Sequence, residues 1–280
     1  MEPLAIPPNS RTSSFPYLRT LAKEKIRLDE LLLKKGLAED ISKARSLILS
    51  GSVLVNDRMV DKAGLSFQES AEIRIRDIIP KYVSRGAYKL KSAIEKWSLD
   101  IKGKLCLDWG ASTGGFTQVL LEEGAEFVFA FDVGYGQMAS KVAMNPKVIV
   151  RDRFHIKDTS WKLLNELWSQ KSEKQFPNEI FLVIDLSFIS LETVLPTIAR
   201  LKQERPTIHW KVVSLFKPQF EAEPRYLDKG VLKNPYVRSQ ILRSFIRFLR
   251  KHIGGKFVGV GESPITGRDG NREILVYWTL

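Results

Sequence analysis

CLDWGASTGGFTQVLLEEGAEFVFAFDVG, residues Cys106–Gly134, sets Gly110, Gly114 and Gly115 with Ser112 and Thr113 in the turn after one apolar run, and ends a second apolar run in Asp132. Glycine inside a regular element costs about 0.5–1 kcal/mol relative to alanine, so a turn this bare needs a reason. An apolar strand, a helix and a second apolar strand make the opening unit of a doubly wound sheet, where ligands sit beyond the carboxyl ends of the strands. Side chains at the three glycines would block such a ligand, and their absence is expected to let backbone N–H groups reach it. The dinucleotide pattern G-x-G-x-x-G fails because Ser112 stands at the second glycine, and a phosphate-binding Walker loop fails because Phe116 follows Gly115 where lysine is required. What remains is Asp108-x-Gly110-x-x-x-Gly114, with Asp132 placed 22 residues after Gly110. A carboxylate there can accept both ribose hydroxyls of an adenosine, so the combination fits S-adenosylmethionine. Asp152, at the end of KVIVRD, is a candidate for the adenine side or simply a strand-end capping acid.

Reading outward, KLCLDWG, EFVFAFD, KVIVRD, EIFLVIDLSF and KVVSLFKPQF alternate with helical stretches, which predicts a parallel sheet covered on both faces. The closing runs FVGVGESPI and REILVYWTL have no helix between them and suggest one antiparallel insertion. The expected class is α/β, a Rossmann-like sheet of seven strands. Two further strand ends carry polar groups that a purely structural core avoids: Asp185 after FLVI and Lys217 after VVSLF, both due at the edge of the glycine turn. Each could instead be half of a structural ion pair.

Upstream, RLDELLLKKGLAEDISKARSLILSGSVLVNDRMV and AEIRIRD read as two short helices, a hairpin around Asn56-Asp57 and a further strand, a small α+β module. Residues 74–96 carry seven Lys or Arg against Asp77 and Glu95 and form a basic connector. The expected organisation is an N-terminal arm at 1–25, a small domain at 26–77, a linker at 78–86 and a large domain at 87–280.

The chain holds 44 Lys and Arg against 32 Asp and Glu, a net charge of +12, which favours a polyanionic partner. A single cysteine, Cys106, excludes an intrachain disulfide, and with three histidines it leaves no basis for a metal site. Prolines interrupt the N-terminal stretch where a signal peptide needs a continuous apolar core, and no apolar run reaches roughly 18 residues. A cytoplasmic protein without a membrane span is expected.

SRGAYKL, DWGASTGGF, DVGYGQ, DLSFISL, KPQFE and GNREIL occur in an order that resembles the TlyA-type, or hemolysin A-like, proteins, whose large domain is of the FtsJ type of RNA 2′-O-ribose methyltransferase. RLDELL, SKARSLI and GSVLVN resemble the S-four RNA-binding domain. The resemblance spans about residues 26–280. It implies a catalytic tetrad of Lys89, Asp185, Lys217 and Glu273, a cofactor site built by Asp108, Gly110, Ser112, Thr113, Gly114, Gly115, Phe116, Asp132, Asp152 and Asp185, and ribosomal RNA or ribosomal subunits as partner, with no DNA expected and cytidine as the target. Periodicity alone does not separate Lys89 from Lys91. The sequence departs from the family at Phe154-His155, where Thr-Asn is usual, and at Gln118, where aspartate is usual.

A ribose hydroxyl must lose its proton as it attacks a sulfonium methyl group. A lysine can accept that proton only if burial or a neighbouring cation holds it neutral; alternatively a charged Lys217 steers the hydroxyl and alignment supplies the acceleration. Arg27, Lys43, Arg45 and Arg85 are candidates to meet phosphates, as are Arg243 and Arg247 on a late helix with no acid from Arg238 to Lys256. Two other classes compete: a ribosome-assembly factor without turnover, and a membrane-lytic protein, for which the arginine-rich helix is the one supporting feature.

Overall fold

A computed structural model of the chain describes residues 25–76, 81–267 and 270–280. Two compact units are present. Residues 1–24 of the arm expected at 1–25, and residues 77–80 of the connector, lie outside the described residues, while Lys25 opens the first strand.

The small unit contains β1 (Lys25–Arg27), α1 (Leu28–Lys34), α2 (Ile41–Leu49), β2 (Val53–Val55), β3 (Arg58–Met59), β4 (Ser66–Gln68) and β5 (Ile73–Ile75). Leu28, Leu32, Ala44 and Ile48 bury the helices against Val53 and Val55. The hairpin turns at Asn56 and Asp57, with φ of 49° and 61°, the pair of positive values that a tight two-residue hairpin needs. Strands β3, β2 and β5 form one sheet, and β1 pairs with β4 in a second. This second pair is absent from the sequence reading because strands of three residues are too short to carry a periodic signal.

The large unit begins with α3 (Ala87–Trp97) and continues through β6 (Leu105–Trp109), α4 (Gly115–Glu122), β7 (Phe127–Phe131), α5 (Ser140–Ala143), β8 (Val148–Arg151), α6 (Trp161–Ser169), β9 (Glu179–Ile184), α7 (Leu191–Val194), α8 (Pro196–Glu204), β10 (His209–Phe216), α9 (Pro218–Glu221), α10 (Pro235–Phe248), β11 (Lys256–Glu262) and β12 (Ile274–Thr279). Its seven strands lie in the order β11-β12-β10-β9-β6-β7-β8. β12 runs antiparallel to both β10 and β11, which is the insertion expected from the closing pair.

Every residue of β6 is buried, as a central strand covered on both faces requires. Leu105, Leu107 and Trp109 face one layer with Trp161, Ile198 and Phe245. Cys106 faces the other with Leu90, Phe116 and Leu120. Each such large apolar side chain contributes about 1.5–3 kcal/mol on burial. The chain leaves β6 toward β7 on one side and returns to β9 on the other, so a crevice opens between their carboxyl ends.

Candidate active site

At that crevice Asp185 N donates to Trp109 O at 2.9 Å. Gly110 follows with φ +87°, and a Cβ on it would stand 2.5 Å from Asp185 O, so glycine is imposed by two strand ends in contact. A cavity of about 620 Å³ opens here, walled by Gly110, Ser112, Asp132, Val133, Gln137, His155, Ile156, Lys157, Asp185, Leu186, Ser187, Phe188, Ile189 and Val194. That volume lies within the range of small-molecule and cofactor sites.

Four amides of the turn are engaged inside the protein. Gly110 N and Ala111 N donate to Phe131 O, Gly114 N donates to Ala111 O, and Ser112 N donates to Asp132 Oδ2 at 2.8 Å. The other two glycines also answer to packing. Gly114 has φ +89° and a Cβ there would press on Met138 and Val142, while a Cβ on Gly115 would overlap Ser84 Oγ. The bare backbone thus also serves the closeness of neighbouring segments.

Asp132 is one of two acids on the cavity wall. Its two oxygens accept from Ser112 N and from Gly134 N at 2.7 Å, which fixes the carboxylate on the cavity wall. A carboxylate has about four acceptor positions, and the remaining ones suit a vicinal diol. Asp152 accepts from Gly136 N at 2.7 Å and braces the neighbouring loop; it is not part of the wall. Thr113 O accepts from Ala139 N. Phe116 belongs to the core under α4. Asp108 is fully buried and accepts from Thr117 Oγ1 at 2.6 Å, while its Oδ1 has no partner among the described residues. Burial, with lesser help from Asp185 and Asp132, pushes its carboxyl up to about 7.

Four side chains converge where β9, β10, β12 and α3 meet. Lys89 Nζ lies 2.5 Å from Glu273 Oε2 and 3.9 Å from Asp185 Oδ2. Lys217 Nζ lies 2.7 Å from Asp185 Oδ1 and makes its hydrogen bond to Ser187 Oγ at 2.8 Å. Acid and base alternate along Glu273, Lys89, Asp185 and Lys217, with side-chain exposures between 4% and 20%. Lys91, two residues from Lys89, pairs instead with Glu123 at 2.6 Å. The tetrad implied by the resemblance is therefore brought into one cluster, and Asp185 is both its centre and part of the cavity wall.

Phe188 stands beside it with φ +64° and 80% of its surface exposed. Its ring centroid is 5.2 Å from that of Phe220. A bulky residue in the left-handed region is strained, and such strain concentrates at functional sites. Sequence reading passes over Phe188 because positive φ leaves no mark in composition. Glu221, also missed, accepts from Ser190 Oγ at 2.5 Å and Leu191 N at 2.8 Å.

The family departures have structural roles. Gln118 Oε1 accepts from Val83 N at 2.8 Å while Nε2 donates to Lys81 O at 2.9 Å, a double duty that aspartate cannot perform. Phe154 packs on Phe131 with centroids 4.9 Å apart, and His155 reaches the cavity wall.

In the small unit Arg27 and Arg45 each place a guanidinium nitrogen 2.9 Å from Asp29 Oδ2. Asp29 has no exposed surface, and the hydrogen bond from Arg27 leads the causes that hold its carboxyl down at about 2. Lys43 is exposed. Arg85 is half-buried ahead of α3, and Arg243 and Arg247 are exposed on α10. No helix among the described residues is long and apolar enough to cross a membrane.

Comparison with known proteins agrees with this geometry. Residues 82–279 match the FtsJ-like methyltransferase family, and residues 26–73 match the S4 domain. The chain is 35% identical over 254 residues to the 16S/23S rRNA (cytidine-2′-O)-methyltransferase TlyA of Mycobacterium tuberculosis, covering 90% of this chain and 88% of that one. It is 36% identical over 256 residues to Hemolysin A of Brachyspira hyodysenteriae, covering 91% of this chain and all of that one. A solved structure from Streptococcus thermophilus that carries the hemolysin name superposes with a TM-score of 0.66 at 32% identity, over 92% of this chain and 89% of that one. An S4 module followed by a seven-stranded sheet with its acid–lysine cluster at the switch point thus places the chain in the FtsJ-like methyltransferase family.

Proposed function

We propose that the protein methylates a ribose 2′-hydroxyl of ribosomal RNA, on cytidine, using S-adenosylmethionine. The observation that carries this reading is the double position of Asp185, on the wall of the cavity and between two buried lysines. Asp132 would hold the ribose of the cofactor, and Gly110 and Ser112 would line its path toward Asp185. The bound cofactor supplies an electrophilic methyl group on a sulfonium.

Lys217, held by Asp185 and Ser187, presents an ammonium that orients the incoming hydroxyl oxygen. The proton leaving that oxygen can be held at Asp185 Oδ1, 2.7 Å from the same Nζ. Lys89 and Glu273 complete the alternation and fix Asp185 from the other side. Alignment of this kind supplies roughly 7–11 kcal/mol in the best cases. The exposed ring of Phe188, backed by Phe220, offers a face on which the base of the target nucleotide can stack, the way unpaired RNA is usually recognised. The S4 module, with Lys43 and the paired Arg27 and Arg45, and Arg85 of the large unit would contact phosphates. The substrate is free ribosomal RNA or an assembled subunit.

The deciding experiment transfers a labelled methyl group from S-adenosylmethionine to unmodified ribosomal RNA and to subunits, followed by mapping of the modified nucleotide. Label on a ribose oxygen of cytidine is expected. Label on a base, or none from folded protein, overturns the reading.

A further inference from the structure

The helix α10 carries a second basic surface, well apart from the tetrad. Its first turn lies by the carboxyl end of the sheet, where Pro235 and Arg238 share a groove with Ile274, the residue after Glu273. Its continuation reaches the opposite end, where Gly255 N donates to Leu249 O beneath Trp278. Phe245, buried against Phe216 with centroids 5.0 Å apart, and Leu249 and Ile253 anchor its inner face. The outer face presents Arg243 and Arg247 one turn apart, then Arg250 and Lys251. A groove of about 600 Å³ is lined by Gln240, Arg243, Ile246, Arg247 and Arg250.

Two observations make this face unusual for the molecule. Several exposed cations elsewhere find carboxylates, as Arg200 does with Glu204 and Lys174 with Glu126. Arg243, Arg247 and Lys251 have no ion pair or hydrogen bond among the described residues, and no acid occurs between Arg238 and Lys256 to supply one. Like charges four apart on a helix oppose its formation, so an anionic occupant relieves what the sequence has concentrated. The rise of 1.5 Å per residue separates Arg243 from Arg247 by about 6 Å along the axis, and guanidinium forks bind phosphate oxygens in pairs.

We infer that the outer face of α10 is a docking surface for the phosphate backbone of RNA, holding a part of the substrate remote from the methylated nucleotide. This rests on the proposed reading of the chain as an RNA-modifying enzyme. RNA fits better than an anionic membrane, because a helix that lies on lipid inserts its apolar face, and here that face is built into the sheet. Ile246 is the one apolar residue among those that line the groove.

The test compares the full chain with R243Q/R247Q and with K162Q/K171Q, which removes the same charge from α6 and the turn after it. Anisotropy of labelled ribosomal RNA transcripts is followed between about 50 and 200 mM KCl, where each lost phosphate contact lowers the salt slope by about one. R243Q/R247Q is expected to lower the slope by about two and weaken binding about tenfold or more at the upper salt, with the heat of S-adenosylmethionine binding unchanged as the check on folding. R243K/R247K is expected to keep the slope. An unchanged slope in R243Q/R247Q, or an equal drop in K162Q/K171Q, overturns the inference. So does loss of binding to phosphatidylserine vesicles with RNA binding intact. Methyl transfer by the unaltered protein is measured in parallel. Its absence strikes the catalytic reading alone, because the binding comparison needs no turnover.

Discussion

Ser190 Oγ donates to Glu221 Oε2 at 2.5 Å, and this bond fastens the turn after β9 to the short helix after Lys217. The two segments meet in order: Lys217 with Asp185 and Ser187, Phe220 with Phe188, Glu221 with Ser190 and Leu191. Glu221→Ala is expected to raise KM for RNA several-fold with a smaller fall in kcat, since the aromatic pair loosens while the lysine keeps its other partners. Glu221→Gln, which can still accept from Leu191 N, should recover most of the loss. Steady-state kinetics with RNA varied at saturating cofactor decides it.

Lys217→Ala removes the group placed to orient the hydroxyl and is expected to lower kcat by about 10²–10⁴-fold. Cofactor binding should survive, because Asp132 and Gly110 are untouched. Calorimetry beside single-turnover methyl transfer separates the two effects.

Phe188→Gly relieves a positive φ that glycine adopts freely, worth about 1 kcal/mol, and offsets the lost contact with Phe220. The thermal midpoint should therefore hold while methyl transfer falls at least tenfold, as expected when a base loses a stacking surface worth about 1–3 kcal/mol. A lower midpoint with full activity would contradict this.

Asp108 gives the stability a pH slope. With its carboxyl at about 7 in the fold and near 3.9 when unfolded, the native state holds a proton that the unfolded chain has released between those values. Stability from this group is complete below about pH 4 and falls as pH rises toward 7, by an amount on the order of 4 kcal/mol. Asp108→Asn should flatten that part of the profile, read from urea unfolding at several pH values.

Asp29 acts with the opposite sign. Its carboxyl is held down at about 2 by Arg27 and Arg45, so its contribution is present above about pH 4 and is lost as pH falls through 2. The arginines stand half in water, with side-chain exposures of 47% and 52%, which limits the effect to about 1 kcal/mol. Asp29→Asn should speed amide hydrogen exchange in α1 and α2 at neutral pH and erase that acid sensitivity.

The strands of the large unit were legible because buried parallel strands are nearly continuous apolar runs, and their polar last residues, Asp132, Asp185 and Lys217, stood out against them. The seven-strand count and the antiparallel closing pair followed from the same pattern. Less could be read where meaning depends on partners far along the chain. Lys89 and Lys91 both lie off the apolar stripe of α3, and the first is distinguished by partners far along the chain, Asp185 and Glu273, the latter 184 residues away. Asp29, Gln118 and Glu221 look like ordinary surface residues until Arg45, Val83 and Ser190 are seen beside them. The glycine turn stood out in the sequence, but the neighbours that demand each glycine did not.

One of those neighbours ties the glycine turn to the acid–lysine cluster. Because Gly115 nestles against Ser84 and comes within reach of the Ala87 amide, the turn that leads out of β6 is seated on the entrance of the helix carrying Lys89. Any side chain at 115 would jack the two apart, tilting the amine off Asp185 even though the substituted position never meets a reactant. The absent methyl group therefore works as a gauge block, setting the spacing between the glycine turn and the helix whose lysine completes the charge alternation.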